Sequence, residues 1–203
     1  MSGRLVLVRH GRTRWNASGR FQGQADPPLD RIGVAQARRA GRALAPLRPD
    51  AIVTSDLYRA RFTAEIVARA CPPPAPTVAV DARLREVALG GWEGLYRFEA
   101  RQRFPEEYRD WRAGLDVRRG GGETEREAGI RVADAVSAVL HSSSPEDTVV
   151  AVSHGLALRG AIAILAERGV VTLGPDAPHL ANGAWTVLPV ERSRLGRENL
   201  VPR

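Results

Sequence analysis

Apolar residues fall along the chain in two alternating textures. Residues 5–8, 51–54, 77–80 and 149–152 are short, nearly unbroken apolar runs rich in β-branched side chains. Runs of that length without polar alternation predict buried strands of a parallel sheet, covered on both faces at 5–8, with 77–80 a third short strand. A last run, 184–190, follows the turn pair Asn182-Gly183 and is placed near the sheet edge. Between the runs, the spacing lengthens to that of helices. After Asp30, a candidate N-cap, Ile32, Ala35, Gln36, Ala40 and Leu44 recur at helical intervals until Pro46 stops them. A second helix begins within 55–60 and runs to about residue 70. Gly120-Gly121-Gly122-Glu123-Thr124 turns into a third, which runs through Leu140 with Ile130, Val132, Ala135, Val136, Val139 and Leu140 as its core face. A fourth covers 156–166, and residues 97–119, with Phe98, Phe104, Tyr108 and Trp111, predict short helices over one side of the site. Strands alternating with amphipathic helices predict an α/β fold, a three-layer α/β/α sandwich with a mostly parallel central sheet.

Two of the apolar runs end alike, in Arg9-His10-Gly11 and in Ser153-His154-Gly155. Open α/β sheets bind their ligands at the carboxyl ends of strands. If the two strands are neighbours, His10 and His154 face one pocket. Gly11, with no side chain, would let a ligand approach the backbone. After the second run, Ser55-Asp56-Leu57-Tyr58-Arg59-Ala60 puts Arg59 in a first helical turn, where the helix N-terminus also favours an anion. Arg61, two positions on, cannot share that face.

Composition narrows the function classes. The chain has 203 residues, enough for one domain with a sizeable core. Its one cysteine, Cys71, precedes Pro72-Pro73-Pro74 in an expected turn and is read as incidental. No apolar run reaches the roughly eighteen residues of a membrane span, and no leader precedes the first strand, so a cytoplasmic protein is expected. The net charge is +7, and all 30 basic residues are Arg. They are scattered among acids rather than gathered in a stripe with aromatics, which argues against nucleic acid as a partner. The useful remainder is a local positive field for small phosphorylated molecules. Pairing with a second copy of the chain stays open. Leu200-Val201-Pro202-Arg203 matches the remnant of a cleaved thrombin site, leaving 1–199 as the domain. The four histidines lack metal-ligand spacing, and neither a Walker glycine loop nor a Gly-x-Ser-x-Gly elbow occurs, so no metal or cofactor is expected.

The segment from Arg9 to Asn16, Arg-His-Gly-Arg-Thr-Arg-Trp-Asn, resembles the signature of the histidine phosphatase superfamily, whose fold is called phosphoglycerate mutase-like. Four further segments match in order: the Arg59 segment, Leu84-Arg85-Glu86 through Leu95, the glycine turn at 120–124, and the His154 segment. The resemblance implies that His10 is phosphorylated and dephosphorylated in turnover. Arg9 and Arg59 would clamp the phosphate, and Glu86 would be the proton donor. His154, Asn16 and the backbone at Gly155 would add hydrogen bonds to the phosphate. The Arg20-Phe21-Gln22-Gly23 segment would lie over the site, with Gln22 and Gly23 touching phosphate through their backbone; a plain surface loop is the alternative. Glu93 would fix the loop by hydrogen bonding. Tyr96 stands where relatives often start a helix with Ser or Thr, which predicts a weak cap. His141 is read as a C-terminal charge partner, and His179 has no role. The chain looks most like the phosphatase branch, glucosyl-3-phosphoglycerate phosphatases and related small-molecule phosphatases among it. A cofactor-dependent phosphoglycerate mutase is the alternative enzyme. A catalytically silent module binding phosphoryl ligands is the alternative of another class.

Overall fold

The structure is a computed structural model that describes residues 3–173 and 180–195. His179 and the segment 200–203 lie outside the described residues. Five strands form one sheet: β1 (Arg4–Arg9), β2 (Ala51–Thr54), β3 (Val78–Val80), β4 (Thr148–Ser153) and β5 (Trp185–Pro189). Their order is β3-β2-β4-β1-β5. All pairs are parallel except β5, which runs antiparallel along β1 at the edge. The helices are α1 (Arg14–Ser18), α2 (Arg31–Leu44), α3 (Tyr58–Ala70), α4 (Arg97–Arg103), α5 (Pro105–Arg112), α6 (Glu125–Ser142) and α7 (Gly155–Glu167). The mixed α/β fold is the one expected. Among the described residues, no helix is long and apolar enough to cross a membrane.

The unbroken apolar runs of β1 and β4 are explained by layers on both faces of the sheet, whereas β3 lies at the edge with Val80 52% exposed. Leu5, Leu7, Val149 and Ala151 pack with α6 and α7, while Val6, Val8, Val150 and Val152 pack with α2 and α3. Fully burying one such side chain contributes about 1.5–3 kcal/mol. In the register of β1 and β4, Arg9 lies opposite Ser153, so the next residues of both strands, His10 and His154, leave the sheet side by side.

Several expectations need correcting. The buried face of α2 is Gly33, Ala37, Ala40, Gly41 and Leu44, whereas Ile32 is 50% exposed and Ala35 is also exposed. The cause is a backbone contact: a Cβ on Gly33 would come within 2.0 Å of the Arg12 carbonyl oxygen. A Cβ on Gly11 would come within 2.3 Å of the Gly33 carbonyl oxygen. Gly11 therefore makes room for a helix, not for a ligand. On α6, Ile130 is exposed. The inward arc runs through Gly129, which packs on Gly160 of α7 so closely that a Cβ would lie 2.6 Å from its carbonyl carbon. Cys71 is buried at the end of α3, its thiol donating to the Val67 carbonyl at 3.4 Å. Tyr96 caps α4 with its backbone, its N–H donating to Glu99 Oε2 at 2.7 Å.

Candidate active site

The site begins with two imidazoles at the ends of β1 and β4. Their ring centroids are 5.1 Å apart, with planes inclined by 58°. His10 is 1% exposed and His154 0%. His10 Nδ1–H donates to the Gly11 carbonyl at 2.7 Å, which leaves the lone pair on Nε2. Arg59 Nε–H donates to that Nε2 at 3.3 Å, in agreement with this tautomer. Burial pushes both imidazoles well below their ordinary pKa, and the cations of Arg59 and Arg9 add to the depression. Both rings are thus neutral at pH 7. Neither ring nitrogen of His154 has a partner among the described residues.

Arg59 sits in the first turn of α3 and is 0% exposed. Its terminal nitrogens donate to the carbonyls of Gly23 at 2.7 Å and Ala25 at 2.6 Å, and to Asp26 Oδ1 at 3.3 Å. The loop at 20–26 is therefore wrapped around a buried cation. Glu93 holds the loop from the other side: its carboxylate accepts the N–H groups of Gln24 at 2.9 Å, Ala25 at 3.0 Å and Leu89 at 3.1 Å. This is the loop-fixing hydrogen bonding expected of Glu93. Gly23 has φ +54°, and a Cβ there would strike the Glu93 carboxylate. Arg61 is exposed, away from the site.

Arg9 donates through Nη1 to the Leu180 carbonyl at 2.9 Å, while its buried Nε has no partner among the described residues. Gly155 is what lets the guanidinium lie over the start of α7, since a Cβ there would be 2.9 Å from Arg9 Cζ. Burial lowers the pKa of Arg9 and Arg59, and the charge of Glu86 opposes this. Glu86 accepts at the N-terminus of α7: Oε1 from Ala157 N–H at 2.9 Å and Val87 N–H at 3.0 Å, Oε2 from Leu156 N–H at 3.3 Å.

Arg9, Glu86 and Gly155 line a cleft of about 200 Å³, together with Asn16, Gln22, Gly23 and Leu180, whereas His10, Arg59 and His154 are buried and are not part of its wall. Asn16 Oδ1 accepts from Thr13 N–H at 3.1 Å and Asn182 Nδ2 at 3.1 Å, so its NH2 is the end available to a ligand. Gln22 Oε1 accepts from Thr13 Oγ1 at 2.6 Å and leaves its NH2 in the same way. Gln22 and Gly23 are both buried, so the segment is not a plain surface loop. The Gly23 carbonyl is already used by Arg59.

Supporting residues were not visible in the sequence. Asn182, read only as half of a turn pair, also donates to the His10 carbonyl at 3.3 Å. Arg131 on α6 donates to the carbonyls of Arg83 at 2.7 Å, Arg85 at 2.8 Å and Glu86 at 2.8 Å, and pairs with Glu123 of the glycine turn. It pins the Glu86 segment. No periodicity or motif marks it. Two aromatics of α5 pack on the fully buried Trp92, Tyr108 stacked at 5.8 Å and Trp111 edge-on at 5.7 Å, with Phe21 of the covering loop at 5.1 Å; Phe98 of α4 is instead 61% exposed and stacks on Tyr96.

Chemically, the cleft and the buried groups gathered at the ends of β1 and β4 together offer a neutral imidazole lone pair, two cations, a second imidazole and a carboxylate. That set suits a phosphoryl group. Comparison with known proteins agrees. The chain is 35% identical over 184 residues to a 2,3-bisphosphoglycerate-dependent phosphoglycerate mutase of Rhizobium etli, covering 85% of each chain. It superposes with a TM-score of 0.78 on a mycobacterial glucosyl-3-phosphoglycerate phosphatase complexed with VO3, at 32% identity, covering 91% of this chain and 90% of that one. A mutant phosphoserine phosphatase of Entamoeba histolytica, in complex with phosphoserine, superposes with a TM-score of 0.74 at 26% identity, covering 91% and 89%. Residues 5–199 match the histidine phosphatase superfamily (branch 1), and the chain belongs to that family.

Proposed function

We propose that the protein is a metal-independent phosphomonoesterase for a small phosphorylated metabolite of the sugar or glycerate phosphate type. The observation that carries this reading is His10: neutral, its ring 5.1 Å from that of His154, with its Nε2 lone pair turned to Arg59 and within the field of Arg9, which lines the cleft with Glu86. A phosphate monoester dianion repels anionic nucleophiles, whereas a neutral imidazole meets no such repulsion. In the first step Nε2 attacks phosphorus, the ester P–O bond breaks, and the departing alkoxide takes a proton from the Glu86 carboxyl. Oε2 is the oxygen assigned to that proton, since it has the longer and single backbone contact. In the second step water attacks the phosphohistidine, Glu86 takes its proton, and phosphate leaves. Arg9 and Arg59 stabilise the transferring phosphoryl group in both steps, with hydrogen bonds from His154, Asn16, Gln22, and the backbone of Gly23 and Gly155.

The second reading is a phosphoglycerate mutase, favoured by the names of the sequence relatives. Against it stand the phosphatases among the structural neighbours. Product analysis in EDTA separates the two. With 3-phosphoglycerate, p-nitrophenyl phosphate and a panel of sugar phosphates, release of inorganic phosphate is expected. Formation of 2-phosphoglycerate, dependent on added 2,3-bisphosphoglycerate and faster than phosphate release, would establish the mutase. No turnover of any ester would leave the silent binding module.

A further inference from the structure

Glu86 lies on a stretch of chain that no ladder or helix holds. Residues 85–89 follow a single helical turn at Ala82–Leu84 and have no regular secondary structure of their own. The carbonyls of such a stretch must find other partners, and those partners decide where it lies. The Leu84 carbonyl accepts from Ser153 Oγ at 2.7 Å, one residue before His154. The carbonyls of Arg83, Arg85 and Glu86 all go to one side chain, Arg131 of α6.

The contact uses the whole guanidinium. Nη1 donates to the carbonyls of Arg83 and Arg85, Nη2 to the Glu86 carbonyl and to Glu123 Oε2, and Nε to Glu123 Oε1 at 2.8 Å. All five N–H donors are spent inside the protein, and none is left for a substrate. Arg131 does not line the cleft. Glu123 closes the other end of the stretch: its Oε2 accepts the Ala88 N–H at 2.9 Å, and its own N–H donates to the Ala88 carbonyl at 2.8 Å. It stands one residue before Thr124, whose capping box starts the 18-residue helix that carries Arg131. The Glu86 carboxylate is tied to the same backbone, since Oε1 accepts the N–H of the next residue, Val87, at 3.0 Å. A shift of this stretch therefore moves the carboxyl group with it.

We propose that Arg131 and Glu123 form a clamp whose task in turnover is to aim the Glu86 carboxyl at the oxygen of the leaving group. Arg131 is a positioning residue: it touches no substrate and acts through Glu86. The proposal rests on the phosphomonoesterase reading, in which Glu86 is the proton donor, and adds to it the groups on which that proton transfer depends. Lysine cannot take the place of Arg131, because three donors on one nitrogen cannot span three carbonyls and a carboxylate.

An arginine that only stabilised the fold would slow every substrate alike when removed. One that aims a proton donor slows those substrates whose leaving group needs the proton. The test is the rapid-quench burst of His10 phosphorylation, measured with the best sugar or glycerate phosphate of the panel and with p-nitrophenyl phosphate. In Arg131→Met the alkyl phosphate burst should fall by about 10- to 100-fold more than the p-nitrophenyl phosphate burst, the cost of misplacing a reacting group by about 1 Å. Arg131→Lys should resemble Arg131→Met, and Glu123→Gln should move the ratio of the two bursts the same way by less. Arg126→Met, on the same helix but paired with the exposed Glu167, should leave the ratio unchanged. In Glu86→Gln the proton donor is already gone, so adding Arg131→Met should lower the alkyl phosphate burst by no more than about 3-fold, the signature of two residues acting as one unit. Equal falls for both substrates in Arg131→Met, a wild-type ratio in Arg131→Lys, or the full cost of Arg131→Met on top of Glu86→Gln would each overturn the proposal. If Arg131→Met does not fold, Arg131→Lys and Glu123→Gln, read by the same ratio and alone or with Glu86→Gln, decide. No burst with any ester in wild type would instead remove the phosphomonoesterase reading, and the task of the clamp with it.

Discussion

Each of the residues gathered around His10 has a separable part. Glu86 is the one whose part depends on the leaving group. A sugar or glycerate alkoxide needs a proton to depart, whereas p-nitrophenolate does not. In Glu86→Gln, the burst that reports phosphorylation of His10 should therefore slow by about 10²- to 10⁴-fold with an alkyl phosphate and far less with p-nitrophenyl phosphate. Arg59→Ala should slow both bursts alike, because both substrates present the same phosphate. Rapid-quench measurement of the burst is required, since Glu86 also serves the hydrolysis step common to every substrate. An equal fall for both substrates in Glu86→Gln would move the proton donor elsewhere. Glu93 would be the next carboxylate to test, although it holds the covering loop and, unlike Glu86, does not line the cleft.

Between elements, glycines decide what side chains cannot. The sequence made the strands legible because residues buried on both faces must be apolar at every position, and Val149 to Val152 are fully buried. It made His10, Arg59 and His154 legible because each follows the end of such a strand. The buried face of α2 was not legible. A helix lying with its backbone on another segment marks the contact by Gly33, which carries no hydrophobic signal, while Ile32 next to it does and faces solvent. Ile130 and Gly129 repeat the pattern on α6. Arg131 and Asn182 escaped for another reason: they bond to backbone carbonyls of distant segments, which no local pattern encodes. The α2 contact gives a direct prediction. Gly33→Ala puts a Cβ against the Arg12 carbonyl, a backbone atom that cannot rotate aside. Urea unfolding should show a loss of about 1–3 kcal/mol, as for other overpacked contacts. Turnover should fall with it, because the displaced segment is the one that follows His10. Ile32→Ser, one position away and exposed, should stay within about 0.5 kcal/mol of wild type. Equal effects of the two substitutions would show that the Arg12–Gly33 contact does not set the helix.

At the scale of the whole molecule, the site and the stability of the fold share the same two protons. His10 and His154 are buried and neutral, and the adjacent guanidiniums of Arg59 and Arg9 oppose their charging. In the unfolded chain both would titrate near the ordinary histidine value of about 6.5. Below that pH the unfolded state therefore holds more protons than the folded state, so stability falls as the medium becomes more acidic. Each histidine contributes a slope of up to about 1.4 kcal/mol per pH unit. The contribution to stability is complete above the unfolded pKa and is lost progressively from there down to the depressed folded value. Carboxylates such as Asp56 and Glu127, which are held below their usual range, add a loss of the same sign only at lower pH. The window from about pH 6.5 to about 5 thus reports mainly on histidines. Urea unfolding across that window should give a steep decline in wild type, and His154→Gln should reduce the slope by up to one proton's worth. An unchanged slope in His154→Gln would mean that His154 already carries a proton in the folded state. It would then be a third cation in the cleft rather than a neutral hydrogen-bond donor, and the balance of charge around the phosphoryl group would have to be redrawn.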